Sequence, residues 1–279
     1  MILLTGATGE LGRGLVPRLA ARFEVTLLTR EPMRHADLRD RGVRLVAGDL
    51  TRPETLGPAL AGVDQVLHMG AVTHTRRAED YFAVNATGTC NLVAAAEAAG
   101  SVARFLHLST RAIGAEGGAY AESKDRAEAA VRASQLPWVI LRPAEVYGGG
   151  ADAISDLLAR VRSSRWLPVL GDGKYRLAPV YVEDVIDAVL AAVVAEGIDG
   201  RCYTLSGPEE LTFLELVERM ERFADVSRRG RVKVPVFAAR WAACLASMVG
   251  VGSLVPDQIP RLLMTKAIDD GAAATELGF

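Results

Sequence analysis

Cysteine is scarce in this 279-residue chain. The three present, Cys90, Cys202 and Cys244, are far apart and odd in number, which argues against a disulfide framework or a thiolate metal cluster. There are four histidines, and His68, His74 and His107 do not fall at metal-ligand spacing, so no metal is expected. An excess of charge of one sign is lacking too. The 32 basic and 34 acidic side chains leave a net charge of −2 and are scattered, so neither nucleic acid nor a membrane is an expected partner. No charged region followed by a long apolar stretch opens the chain, and the expectation is a reducing, cytoplasmic setting. Long apolar runs are also missing. Residues 241–255, WAACLASMVGVGSLV, carry no charge but fall short of the roughly 20 residues that a membrane span needs. Phe237, Trp241, Leu245 and Met248 recur there at helical spacing, which predicts a buried helix of a small second region.

Half of the residues are apolar, ample for a sizeable core. Residues 1–150 alternate two textures. Apolar runs such as ILLTG, EVTLLTR, VRLVAGD, VDQVLHMGA, RFLHLST and WVILRP have strand character, and Ala-rich stretches such as 11–22 and 82–99 have helical periodicity. Strand and helix in this rhythm predict βαβ units and a parallel sheet covered on both faces. After Gly148, Gly149 and Gly150 the rhythm loosens. The expected organisation is a parallel-sheet domain at 1–150, with 175–205 returning to its sheet. Residues 151–174 and 206–279 would form a small substrate-binding region. Helices are expected at 153–163 and from near Glu183 and Asp184, with Asp184 as an N-cap. From Thr212 onwards the sequence reads as helices and loops alone.

The glycines of TGATGELG, residues 5–12, follow a strand and open a helix, the context in which such a triplet binds a dinucleotide. Gly6 allows a tight turn, Gly9 lets the backbone approach the pyrophosphate, and Gly12 lets helix and strand pack closely. Thr8, Glu10 and Leu11 complete the loop, whose helix N-terminus offers N–H groups to phosphate. In NAD sites an acid at the end of the second strand holds the ribose 2′-hydroxyl. Here that strand ends in Thr29 and Arg30, and Glu31 and Arg34 follow. A guanidinium suits a 2′-phosphate, so NADP is expected ahead of NAD. Asp49, after the third strand, either accepts from the adenine amine or caps its turn.

Tyr120 and Lys124 stand four residues apart in YAESK, on one face of a helix. A nearby ammonium lowers a phenol's pKa and readies it to shuttle a proton, and the lysine can also hold the nicotinamide ribose. Ser109 and Thr110 end the preceding strand, where a hydroxyl could orient a reacting oxygen.

With these motifs the sequence resembles the extended short-chain dehydrogenase/reductase family, which includes NAD(P)-dependent epimerases and dehydratases. TGATGELG is joined by GDL (48–50), HMGA (68–71), VNATGTCN (84–91), LST (108–110), YAESK (120–124), LRPAEVYG (141–148) and PVYVEDV (179–185). The resemblance covers about residues 1–205 and implies a Rossmann fold, a doubly wound parallel α/β sheet, with a small, mostly helical C-terminal substrate region. It makes Tyr120 and Lys124 the catalytic pair and Thr110 the substrate-orienting hydroxyl, with Ser109 beside it. It assigns Asp49, Leu50, Gly70, Ala71 and Pro143 to the cofactor along with the glycine loop. It also implies homodimers built on long helices, the one from Tyr120 among them. Sugar 4,6-dehydratases carry an Asp-Glu pair after the hydroxyl. Here Arg111 and Ala112 stand there, which leaves carbonyl reduction or epimerisation of a nucleotide sugar or a small ketone or alcohol. The rival is a non-catalytic NADP(H)-binding sensor or assembly subunit. Elsewhere, Asn85 is read as stitching loops, and Glu145 and Tyr147 as a loop over the cofactor or a simple turn. Lys174 and Arg176 are read as a phosphate contact or a solvated turn, and His68 and His107 as satisfied core histidines.

Overall fold

The computed structural model describes residues 1–39, 41–150, 152–248, 256–266, 269 and 271–279. Its first half runs β1 (Ile2–Thr5), α1 (Glu10–Ala20), β2 (Val25–Thr29), α2 (Ala36–Arg39), β3 (Arg44–Ala47), α3 (Gly57–Leu60), β4 (Gln65–His68), α4 (Ala78–Tyr81), α5 (Gly88–Ala99), β5 (Arg104–Leu108), α6 (Gly118–Ala133) and β6 (Trp138–Pro143). The second half runs β7 (Val146–Tyr147), α7 (Ala153–Ser163), β8 (Trp166–Leu170), β9 (Arg176–Leu177), β10 (Val180–Tyr181), α8 (Val182–Val194), β11 (Arg201–Leu205), β12 (Leu211–Thr212), α9 (Phe213–Phe223), β13 (Gly230–Val234), α10 (Val236–Met248), α11 (Gln258–Leu263) and α12 (Ala272–Leu277).

Seven strands form one parallel sheet in the order β11-β6-β5-β4-β1-β2-β3, a Rossmann arrangement. The near-continuous apolar strands have their physical reason here, because both faces are covered. Leu4 packs with Leu15 and Leu19 of α1 and with Val185 and Val189 of α8. Its neighbour Leu3 packs on the other face with Leu60 of α3, Leu92 of α5 and Val131 of α6. The chain leaves β1 towards β2 on one side and returns as β4 on the other. The C-terminal ends of β1 and β4 therefore border the crevice where open sheets of this kind bind ligands.

A second, smaller core joins Val161 of α7, Leu167 of β8, Leu177 of β9 and Leu216, Val217 and Met220 of α9. Four details depart from the sequence expectations. β13 is a strand, parallel to β8, where helices and loops alone were expected. α12 does not join the small region. Its Ala273 and Leu277 pack into the main core, against α8 and β11. Asp184 lies in the first turn of α8, whose N-cap is Tyr181 with no side-chain hydrogen bond. Finally, α10 forms, but the stripe expected to be buried faces outwards. Phe237, Trp241 and Leu245 are exposed, while Ala239 and Ala243 face the core. Residues 249–255 of that apolar segment, and the side chain of Met248, lie outside the described residues.

Candidate active site

The glycine loop joins β1 to α1 at the edge of the crevice. Gly6 has φ +77°, and a Cβ there would stand 2.6 Å from the backbone of Met69 and Gly70. Only glycine fits both demands. At Gly12 a Cβ would meet Ala7 backbone at 2.4 Å, so this glycine lets the helix close onto its own loop. At Gly9 it would meet nothing nearer than Gly6 O at 3.6 Å, which leaves the backbone open to approach. Gly9 begins α1 without a side-chain cap, and Thr8, Gly9 and Glu10 are exposed with Leu11 half-buried. An uncapped helix start with open backbone is suited to a pyrophosphate. Gly70 N–H donates to Thr5 Oγ1 (3.0 Å), which ties the end of β4 to β1, with Ala71 following it, half-buried. Leu50 packs against Gly70 and Gly88. Asp49 accepts from Thr51 N–H and Oγ1, both at 2.9 Å, so its carboxylate caps its own turn, and Arg30 is exposed close enough to lower its pKa.

Tyr120 sits in the first turn of α6, buried, its ring edge-on to Tyr81 with centroids 5.7 Å apart. The Thr110 hydroxyl lies near enough to its phenol to lower the phenol's pKa. Burial pushes that phenol up, the charge of Arg261 and the nearby Thr110 hydroxyl pull it back, and Asp257 adds to the rise. One turn on, Lys124 Nζ donates to Leu108 O (2.8 Å) and lies 3.3 Å from His107 Nε2. Burial draws its ammonium down to about 8, against the opposing pull of Glu128. Ser109 takes a different place from Thr110. It is buried beside Glu128, the carboxylate that grips Arg142 through two bonds of 2.8 and 2.6 Å. Pro143 ends β6 alongside, its carbonyl accepting from Arg111 N–H (2.9 Å).

The two strand histidines differ. His68 is satisfied by Thr5 (2.7 Å) and Thr89 (2.9 Å), and burial, then Lys124, holds it at about 3. His107 meets Lys124 through Nε2, but its buried Nδ1 has no partner among the described atoms. Asn85 stitches as expected, pairing with both backbone polar groups of Val72 and with Ser123 Oγ.

Sequence reasoning missed the contribution of the C-terminal segment. Asp257 accepts from Ala119 N–H (2.5 Å) and Tyr120 N–H (3.3 Å), and the Arg261 guanidinium lies 4.6 Å over the Tyr120 ring. Arg111, noted only as the residue replacing an acid, is buried and bonds Glu145 (3.3 Å) and Glu210 (3.1 Å). Lys266 closes on Glu145 at 2.7 Å. Glu145 is therefore an ionic anchor. Burial pushes its carboxyl up, but Lys266 and Arg111 hold it below the usual range. Arg176 faces Glu210, Lys174 N–H turns onto Asp172, and Arg34 is tied to Glu31 at 2.6 Å. Among the described residues no cluster of His, Cys, Asp or Glu could hold a metal, and no helix is long and apolar enough to cross a membrane.

The sequence pattern of the NAD dependent epimerase/dehydratase family matches residues 2–205. The chain belongs to that family. Within the epimerase/dehydratase family it is 35% identical, over 68% of its length, to a ceramide reductase from Caulobacter vibrioides, of which the match spans 60%. That is less than two thirds of the relative. A 4-hydroxy-2-methyl-3-oxo-4-farnesyl-3,4-dihydroquinoline-1-oxide ketoreductase from Stigmatella aurantiaca is 28% identical, over 99% of this chain and 90% of its own. The UDP-glucuronic acid 4-epimerase of Bacillus cereus, solved with UDP-glucuronic acid and NAD, shares the fold at a TM-score of 0.74 and 20% identity, covering 100% of this chain and 93% of that one.

Proposed function

We propose that this protein is an NADP(H)-dependent ketoreductase acting on a ketone that carries an apolar chain. The observation that carries the reading is the meeting of Thr110, Tyr120 and Lys124 at the C-terminal end of β5, beside the crevice bordered by β1 and β4. The open backbone at Gly9 and the uncapped start of α1 fit a dinucleotide. When bound, a nicotinamide supplies the hydride. The chain's own groups do the rest. The Thr110 hydroxyl and the Tyr120 phenol address one carbonyl oxygen, and Tyr120 gives its proton to that oxygen as it becomes an alcohol. Lys124, one turn on, gives its ammonium to Leu108 O and His107 Nε2 and so ties the helix that carries Tyr120 to the end of β5. Arg111 and Ala112 offer no acid for elimination. The relatives named for ceramide and for a farnesyl-bearing ketone support a substrate with a hydrocarbon chain.

Tyr120→Phe should abolish turnover of NADPH with such ketones while leaving NADPH binding intact. Full activity in that variant would remove the proton shuttle from the reading. For the cofactor, Arg30 stands exposed at the tip of β2 with no acid at the strand end. Arg30→Asp should shift the preference from NADPH towards NADH by about tenfold or more, since it replaces a phosphate contact with a repulsion. An unchanged ratio of kcat/KM for the two cofactors would remove Arg30 from that role. The competing reading, epimerisation of a nucleotide sugar, predicts instead a tightly held nicotinamide released only on denaturation.

A further inference from the structure

Helix α10 buries its small side chains and exposes its large ones. Ala239 and Ala243 pack with Ile259, Leu170 and Val234. Phe237, Trp241 and Leu245, spaced by four, are 69%, 69% and 58% exposed and form one stripe. A surface helix ordinarily does the reverse. A further large apolar side chain is exposed in the neighbouring strands. α10 follows β13 after Pro235 alone, and β13 pairs with β8, whose Trp166 is also exposed. The charge of this stretch is one-sided, which the balanced total for the chain conceals. Between Asp225 and Asp257 the sequence holds five basic residues and no acid. Arg228 and Arg231 are paired with Glu218 and Glu221, whereas Lys233 and Arg240 are exposed and have no ion pair among the described residues.

We propose that α10 docks this protein onto the surface of a bilayer containing anionic lipid. Phe237, Trp241 and Leu245 enter the boundary between headgroups and acyl chains, and Lys233 and Arg240 meet lipid phosphates. A helix of 13 residues is too short to span a bilayer but can lie in its plane. Exposed tryptophan beside basic residues is the side-chain mix that such an interface favours. Charge sign selects the occupant. In a two-fold contact between copies the same patch faces itself, which would bring Lys233 and Arg240 against their own like, whereas an anionic surface attracts them. α10 packs on α11 through its opposite, buried face, and Arg261 of α11 stands over Tyr120, so the docked helix adjoins the segment beside the candidate site. The proposal does not depend on which substrate is turned over.

The test is co-sedimentation of the full chain with vesicles of phosphatidylcholine and phosphatidylglycerol, against vesicles of phosphatidylcholine alone. The expected result is binding about tenfold stronger to the anionic vesicles, weakening as NaCl is raised to about 0.5 M. The double variant Phe237→Ser/Trp241→Ser should lose it, with melting temperature and NADPH binding unchanged because both side chains stand in solvent. Tyr120→Phe should bind vesicles like the parent, which separates this proposal from the catalytic one. Equal, weak binding to both vesicle types overturns it. So does a concentration-dependent dimer that the double variant dissociates while the parent ignores vesicles, since that gives the face to a second copy.

Discussion

Tyr120 is set between two opposite charges delivered by one short helix. Asp257 and Arg261, four residues apart around α11, reach the backbone and the ring of the same tyrosine. The net position of the phenol is above its ordinary value, because burial outweighs the pull of Arg261 and Thr110. Reduction needs Tyr120 protonated, so its rate falls as pH rises through the phenol's pKa. Arg261 lowers that pKa. Arg261→Met should therefore move the falling limb of the reductive pH profile to higher pH, and the rising limb of the oxidative profile in the same direction. Arg261→Lys, which keeps a cation, should restore part of the shift. Limbs that stay in place in Arg261→Met would mean that the guanidinium only packs on the ring.

At the scale of elements, α6 is a helix whose start is completed from elsewhere. Its N-cap is Gly117, without a side-chain hydrogen bond, and its first turn has no acid. Asp257 supplies both, accepting from two first-turn N–H groups. Asp257→Ala should cost about 1 kcal/mol, the usual worth of a cap, read as a lower urea midpoint. Asp257→Asn, which keeps one acceptor oxygen, should cost less, and a midpoint unchanged in both variants would show that the cap contributes nothing. Nothing in the order of residues along the chain announces this cap, because a side chain distant in sequence has no period to betray it. What has a period was legible. The β1 and β2 strands and the α1 helix show in their apolar spacing because both sheet faces are buried. β13 was hidden because Arg231 and Lys233 break its apolar run and its partner β8 lies two helices, α8 and α9, earlier in the chain. The α10 stripe shows why period alone is incomplete. Spacing gave the stripe, but the alanines opposite are apolar as well, so it could not say which side turned inwards. In the site, Tyr120, Lys124 and Thr110 could be read from spacing and strand ends, whereas Arg261, Glu145 and Lys266 are gathered only by the tertiary fold.

At the scale of the whole molecule, Glu145 holds four stretches of chain together. Its carboxylate accepts from Arg111 after β5, Lys266 of the C-terminal segment and Ala178 N–H before β10, and it lies two residues beyond β6 itself. The two partners of the tightest pair respond differently to their burial. Lys266 is drawn below its ordinary value because burial costs it more than Glu145 returns, while Glu145 is held below its own because it answers two cations at once. The cluster is thus a link that is costly to break rather than a large net gain. Glu145→Gln leaves Arg111 and Lys266 buried without their shared anion and should lower stability by about 3–5 kcal/mol. Glu145→Gln with Lys266→Met removes charge from both sides and should recover part of that loss. The pH sign follows from the depressed carboxyl. The contribution of Glu145 is fully present above the unfolded value near 4.5 and is lost as pH falls through the lower folded value. Urea midpoints measured down through that range should converge, the parent falling towards Glu145→Gln as its carboxyl protonates. A single variant as stable as the parent at neutral pH would show that the four stretches are held by apolar packing alone.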